Sequence, residues 1–133
     1  MITIGVICSQ FNSEITDEML AVALARAQER NIQVRTMRCP GAFDIPFCAQ
    51  HMLREQDIAG VVALGALVTG ETDHDQVIAY VAAEKLAALS LQYNKPVALG
   101  ITGPKQTYEQ AVARIPRAAD TIDACLDLIQ AAR

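Results

Sequence analysis

The sequence predicts an α/β domain, a three-layer sandwich in which a four-stranded parallel sheet lies between two layers of helices. Three observations predict it. Four short runs rich in β-branched and aliphatic residues, Ile2 to Cys8, Gln33 to Met37, Val61 to Val68 and Val97 to Ile101, are each followed by a longer stretch with apolar residues at helical spacing. Strict alternation of strand and helix is accommodated by parallel strands joined through right-handed crossovers that cover both faces of the sheet. Hydrophobic residues make up 52% of the chain but aromatics only 5%, so the core is built from Ala, Leu, Val and Ile, which suits helices packed closely on a sheet.

The first strand, Ile2 to Cys8, ends at a turn made of Gln10, Phe11, Asn12 and Ser13. Ile15, Met19, Leu20, Val22, Ala23 and Ala27 then recur at helical spacing as far as Arg30, with Asn12 or Ser13 as the natural N-cap and Asn31 as the stop. Gln33 to Met37 is the second strand, ended by Cys39, Pro40 and Gly41. A helix from about Asp44 to Gln56 follows, with Pro46 in its first turn, where the missing N–H has no helical partner to lose.

Val61 to Val68 shows no polar alternation and reads as a central strand buried on both faces. The next helix starts near Thr72 or Asp73, where Thr72 and Asp75 resemble a capping box, and runs to about Tyr93. Its apolar residues, Val77, Ile78, Val81, Leu86 and Leu91 among them, cover more than the stripe of roughly 100° that packing on a sheet requires. This helix is therefore expected to be buried on two sides, the second against another copy of the chain, which makes the protein a homo-oligomer. Lys95 and Pro96 punctuate the chain before the fourth strand, Val97 to Ile101. Thr102 to Gln106 forms the last turn, and Thr107 to Arg114 with Pro116 to Arg133 form two helices or one broken at Pro116.

A length of 133 residues fits one domain spanning 1–133. A net charge of −4 leaves no basic surface for nucleic acid. The four cysteines, Cys8, Cys39, Cys48 and Cys125, include no C-x-x-C pair and no histidine at metal-site spacing, so neither a metal nor a disulfide framework is expected. No signal peptide precedes the first strand and no apolar run approaches the roughly 20 residues of a membrane span, which makes the cytoplasm the expected location and a membrane partner unexpected.

In open parallel sheets ligands bind at the carboxyl ends of the strands. The unusual residues fall there: Phe11 and Asn12 after the first strand, Pro40 to Asp44 after the second, Thr69 to His74 after the third. Phe11 either staples the start of the first helix or offers a ring face to a flat heterocycle. Gly41 allows close backbone approach, and Asp44 either complements a helix dipole or holds a polyol. Capping competes with anion binding for the free amides around Glu71 and Thr72. His74, at a helix start and flanked by Asp73 and Asp75, has the side chain suited to moving protons at neutral pH. Arg114 and Arg117 lie beyond the fourth strand, where a guanidinium facing the histidine's turn completes an anion site.

The ordered set of Phe11-Asn12, PGAFDIP from Pro40, ALGALVTGETDHD from Ala63 and GITGPKQTYEQAVAR from Gly100 resembles the lumazine synthase family over nearly the whole chain, its archaeal-type branch most closely. The resemblance implies a flavodoxin-like fold and a transferase that condenses 5-amino-6-(D-ribitylamino)uracil with 3,4-dihydroxy-2-butanone 4-phosphate, without metal or cofactor, in riboflavin biosynthesis. By that resemblance Phe11 stacks on the pyrimidine ring, Ala42 and Asp44 hold the ribityl chain, and Asn12, Gly41 and Phe43 belong to the same substrate-binding set. Ala66, Leu67 and Val68 meet the ring edge with their backbone, Glu71 and Thr72 bind phosphate through their amides, and His74 is the catalytic proton carrier.

The resemblance also implies a pentamer or a pentamer-based shell in which a neighbouring subunit contributes Leu99 and Arg114 to each site. The chain departs from the commoner bacterial pattern in Asp44 where Glu is usual, in Leu99 where Phe is usual and in lacking a lysine beyond Arg114, a place that Arg117 is positioned to take. The alternative on the same scaffold is a non-catalytic flavin- or pterin-binding or shell-forming protein.

Overall fold

Alternating runs of small aliphatic residues and amphipathic segments give ten elements in the computed structural model, which describes residues 1–133. In chain order they are β1 (Thr3–Ser9), α1 (Ser13–Glu29), β2 (Gln33–Cys39), a 3-10 turn (Ala42–Asp44), α2 (Ile45–Leu53), β3 (Ile58–Val68), α3 (His74–Tyr93), β4 (Val97–Gln106), α4 (Tyr108–Ala113) and α5 (Arg117–Ala131). The strands form one sheet, parallel as the alternation predicts, in the order β2-β1-β3-β4. No helix is long and apolar enough to cross a membrane.

Side chains alternate across the two faces of the strands. Ile4, Val6 and Cys8 of β1 with Val62, Leu64 and Ala66 of β3 pack against Ile15, Met19 and Ala23 of α1 and Ile122 and Cys125 of α5. On the opposite face Ile7, Val61, Ala63 and Leu67 pack against Ile45, Ala49 and Met52 of α2 and Ala79 and Leu86 of α3. Both faces of β3 are thus buried, which is why its sequence is apolar without alternation. Arg26 and Arg30 of α1 both pair with Asp123 of α5 along the rim of the first layer.

Several boundaries differ from the sequence expectation, β1 running from Thr3 to Ser9 rather than from Ile2 to Cys8. β2 continues past Met37 to Cys39, and β3 begins at Ile58 rather than Val61. Ala42 to Asp44 forms a separate 3-10 turn before α2, which ends at Leu53 rather than Gln56. Most consequentially, β4 does not stop at Ile101 but runs to Gln106. Gly103 (φ 97°) and Lys105 (φ 60°) take up left-handed backbone, the β3/β4 register slips between Ala66 and Val68, and Thr69 N then donates to Gln106 O at 2.9 Å. The Gly-Pro dipeptide that reads as a turn is therefore absorbed in a bulge, after which the strand resumes.

At Pro116 the structure has two helices, α4 and α5. The first is capped reciprocally: Gln110 N donates to Thr107 Oγ1 (3.1 Å) and Thr107 N to Gln110 Oε1 (2.9 Å). Within one chain α3 is buried on a single side, through Asp75, Ala79, Ala82 and Leu86, while Val77, Tyr80, Val81 and Leu91 are exposed. The second covering expected from its sequence is not supplied by any element of the same chain.

All four cysteines are free and buried. Burial pushes the Cys125 thiol up to about 12, and burial together with neighbouring Cys48 and Asp44 does the same to Cys39.

Two outcomes follow from this packing. A Cβ on Gly103 would sit 2.5 Å from Leu67 O at a φ that side chains avoid, so Gly103→Ala should lower unfolding free energy by about 1–3 kcal/mol in a denaturant titration. Between pH 9.0 and about 12 the unfolded chain releases the Cys39 and Cys125 protons while the folded chain retains them. The unfolded state then binds fewer protons, so stability should fall as pH rises through that window, with a shallower fall in a Cys39→Ala/Cys125→Ala variant followed by thermal melts.

Candidate active site

In the order β2-β1-β3-β4 the chain leaves β1 toward one edge and β3 toward the other, so a crevice must open between the carboxyl ends of these two strands. The register shows where. β1 pairs with β3 only as far as Cys8↔Leu64, while β3 continues to Val68. The backbone edge of Ala66 to Val68 on the β1 side is thus uncovered by a strand. A cleft of about 540 Å³ occupies this place, walled by Phe11 and Asn12, by Pro40 to Asp44, by Ala66 to Val68, and by His74, Asp75 and Ile78, with Ser9 at its base.

Asn12 sets the geometry of the first wall. It adopts left-handed backbone (φ 61°, ψ 49°) at the start of α1, and its Nδ2 donates to Ala66 O at 2.9 Å across the gap between the strands. It occupies the N-cap position, but its side chain makes no capping bond, contrary to the sequence expectation. That reversed turn carries Phe11 outward, 71% exposed at the cleft, so the ring is not packed as a hydrophobic staple. Gln10 N and Phe11 N donate to Cys39 O (2.8 Å) and Pro40 O (3.0 Å), which ties the β1 and β2 loops together. In the β2 loop Gly41 N donates to Asp44 Oδ2 at 3.0 Å, while Phe43 is 62% exposed on the same wall.

On the far wall the segment from Thr69 to Asp73 is exposed. The amides of Gly70, Glu71, Thr72 and Asp73 donate to no group in the chain and lie just ahead of the positive end of the 20-residue helix α3. His74 is the first residue of that helix and faces the cleft. The capping box expected from Thr72 and Asp75 is absent. Thr72 Oγ1 accepts from His74 N at 3.3 Å, and the buried Asp75 carboxylate accepts instead from Lys105 N at 3.0 Å, in the β4 bulge. Nothing in the local pattern marks a partner 30 positions away.

Leu99 and Arg114 lie elsewhere. They share a second cavity of about 280 Å³ between β4 and α5, with Thr102, Gly103, Arg117 and Thr121 among its other walls. No acidic side chain lines it. Leu99 is 53% exposed, and Arg114 Nη1 donates to the Oε1 of the buried Gln106 at 2.7 Å. Thus the structure brings His74, Phe11, Asn12, Gly41, Ala42, Phe43, Asp44, Ala66, Leu67 and Val68 into one cleft. Glu71 and Thr72 stand outside its wall on the loop beside it, and Leu99 and Arg114 belong to a different concavity of the same chain.

The family model for 6,7-dimethyl-8-ribityllumazine synthase matches residues 1–133. The chain belongs to the 6,7-dimethyl-8-ribityllumazine synthase family. It is 43% identical to the 6,7-dimethyl-8-ribityllumazine synthase of Picrophilus torridus over 131 residues, covering 98% of this chain and 96% of that protein. It is similar also to those of Saccharolobus solfataricus, 41% identical over 99% of this chain and 87% of the relative, and Metallosphaera sedula, 46% identical over 86% and 76%. Its activity is that of a lumazine synthase, a transferase of riboflavin biosynthesis, and its four-stranded parallel sheet is the lumazine synthase fold.

Sequence reasoning did not assign Ser9, Asp75 and Ile78 to the cleft, or Gln106 and Thr102 to the surroundings of Arg114. The one available signal was Asp75, a carboxylate beside the histidine at a position that the structure buries. For the others the strand and helix patterns hide which polar groups meet.

Asn12 yields a graded outcome. Asn12→Gly keeps the left-handed turn and loses only the bond to Ala66, costing about 1 kcal/mol, whereas Asn12→Ala adds backbone strain and should cost about 2–3 kcal/mol. Urea unfolding of both variants measures the order; an alanine variant as stable as the glycine variant would contradict it.

Proposed function

We propose that the chain condenses 5-amino-6-(D-ribitylamino)uracil with 3,4-dihydroxy-2-butanone 4-phosphate, releasing phosphate and water, at a site completed between protomers of a homo-oligomer, with a pentamer as its basic ring. The observation that carries the reading is the division of the chain into two partial concavities. One holds an imidazole, an exposed aromatic ring and free backbone groups, and the other holds two guanidinium groups and no acid. Neither alone surrounds two substrates, and the exposed apolar side of α3 supplies a surface on which copies can associate.

In this reading Phe11 stacks on the pyrimidine, while Asn12 keeps that wall in place through Ala66. The edge of Ala66 to Val68 left uncovered by β1 meets the ring's amide groups. Gly41, Ala42, Phe43 and Asp44 line the path of the ribityl chain, with Asp44 held in position by its bond to the Gly41 amide. Phosphate sits over the free amides of Glu71 and Thr72, where the helix dipole favours an anion, and Arg114 of a neighbouring protomer closes on it, with Leu99 as the apolar wall above the pyrimidine.

His74, next to that phosphate, transfers protons as the amine attacks the ketone, as phosphate leaves and as the second nitrogen closes the ring. Much of the acceleration comes from holding the two substrates in contact. The free buried thiols suit a reducing cytoplasm.

Lumazine absorbance with both substrates present tests the reading. His74→Ala should lower kcat by about tenfold to a hundredfold, orientation retaining the rest. Arg114→Ala should raise KM for the phosphorylated substrate by about tenfold or more and leave KM for the pyrimidine nearly unchanged. Light scattering on the same samples should report a multimer. Unchanged kinetics in both variants, or a monomer that turns over normally, would discard the proposal.

A further inference from the structure

The Gln106 side chain is completely buried, yet both ends of its amide are used. Nε2 donates to Thr102 Oγ1 at 2.8 Å, and Oε1 accepts from Arg114 Nη1 at 2.7 Å. The orientation of the amide is unambiguous, because a guanidinium has no acceptor and must face the oxygen. The backbone of Gln106 is equally fixed: its carbonyl accepts from Thr69 N at 2.9 Å and it pairs in register with Val68. Arg114 is therefore attached, through one amide, to the end of the sheet.

The chemistry of that attachment is informative. Arg26, Arg30, Arg35 and Arg38 each meet a carboxylate, which offsets their charge. Arg114 is held by a neutral acceptor in a cavity without acids. One N–H is spent on fixing its direction, and the full positive charge with the remaining donors is left for an anion. A carboxylate at this place would hold the guanidinium as firmly but compete with a phosphate for it.

We infer that Gln106 is a positioning residue for the phosphorylated substrate: it orients Arg114 without neutralising it. The inference rests on the assignment of Arg114 to the phosphate. Gln106→Met, of similar length, removes the acceptor; Gln106→Glu keeps an acceptor and adds the opposing charge. Both should raise KM for the phosphorylated substrate, and the inhibition constant of inorganic phosphate, by about tenfold, with KM for the pyrimidine changed less than about twofold. If the methionine variant fails to fold by circular dichroism, the glutamate variant carries the same comparison.

In an Arg114→Ala background Gln106→Met should add nothing further to the phosphate effects. A purely structural glutamine would lower the melting temperature and shift both KM values together or neither, and either result overturns the inference. The Arg114→Ala single variant separates the two levels. If it leaves phosphate affinity unchanged, the assignment of Arg114 fails and this inference with it; if it weakens phosphate while Gln106→Met does not, only the role of Gln106 fails.

Discussion

The hydrogen bond from Asn12 Nδ2 to Ala66 O spans the place where the sheet divides. Parallel strands whose crossovers depart in opposite directions must separate at their carboxyl ends, and the separation leaves backbone groups of the longer strand without a neighbour. A water-filled gap would satisfy them equally well but would set no distance. The side-chain amide satisfies one of them and, because Asn tolerates left-handed backbone, turns the chain so that Phe11 faces the gap while Ile15 enters the core. A single residue thereby couples the packing of α1 to the shape of the cleft.

A second constraint works from the other edge of β3. The bulge in β4 sends three connections outward: Lys105 N to Asp75 beside the histidine, Gln106 O to Thr69 at the entry of the exposed loop, and the Gln106 side chain to Arg114. Four residues from Gly103 to Gln106 thus brace both the imidazole side of the cleft and the guanidinium in the second cavity. The loop from Gly70 to Asp73 between these braces makes few internal bonds, so its amides are held near one another by its ends and left open to an anion.

In the proposed reading the packing of α3 joins assembly to chemistry. Its inner side, small at Ala79 and Ala82, allows the helix to lie close on the sheet and places His74 at the cleft. Its outer side exposes Val77, Tyr80 and Leu91. In the proposed reading such a helix belongs to a chain that completes both its core and its active site with further copies of itself.

The sheet, its parallel sense and the edge where the cleft opens were legible in the sequence, because burial on two faces and helical spacing leave period-dependent traces in consecutive residues. So were Phe11, the loop at Pro40 to Asp44 and His74 as residues of that edge, since each lies where the chain passes from a strand to the next helix and topology sends all such junctions to one edge. Spacing could not show that Asn12 bonds across to Ala66 rather than capping its own helix, that Asp75 reaches Lys105, or that β4 resumes after Pro104 to deliver Gln106 to Arg114. Those pairings join residues 8 to 54 positions apart. A hydrogen bond requires two groups at one distance and angle, and only the folded chain, with its register and bulge in place, decides which groups those are.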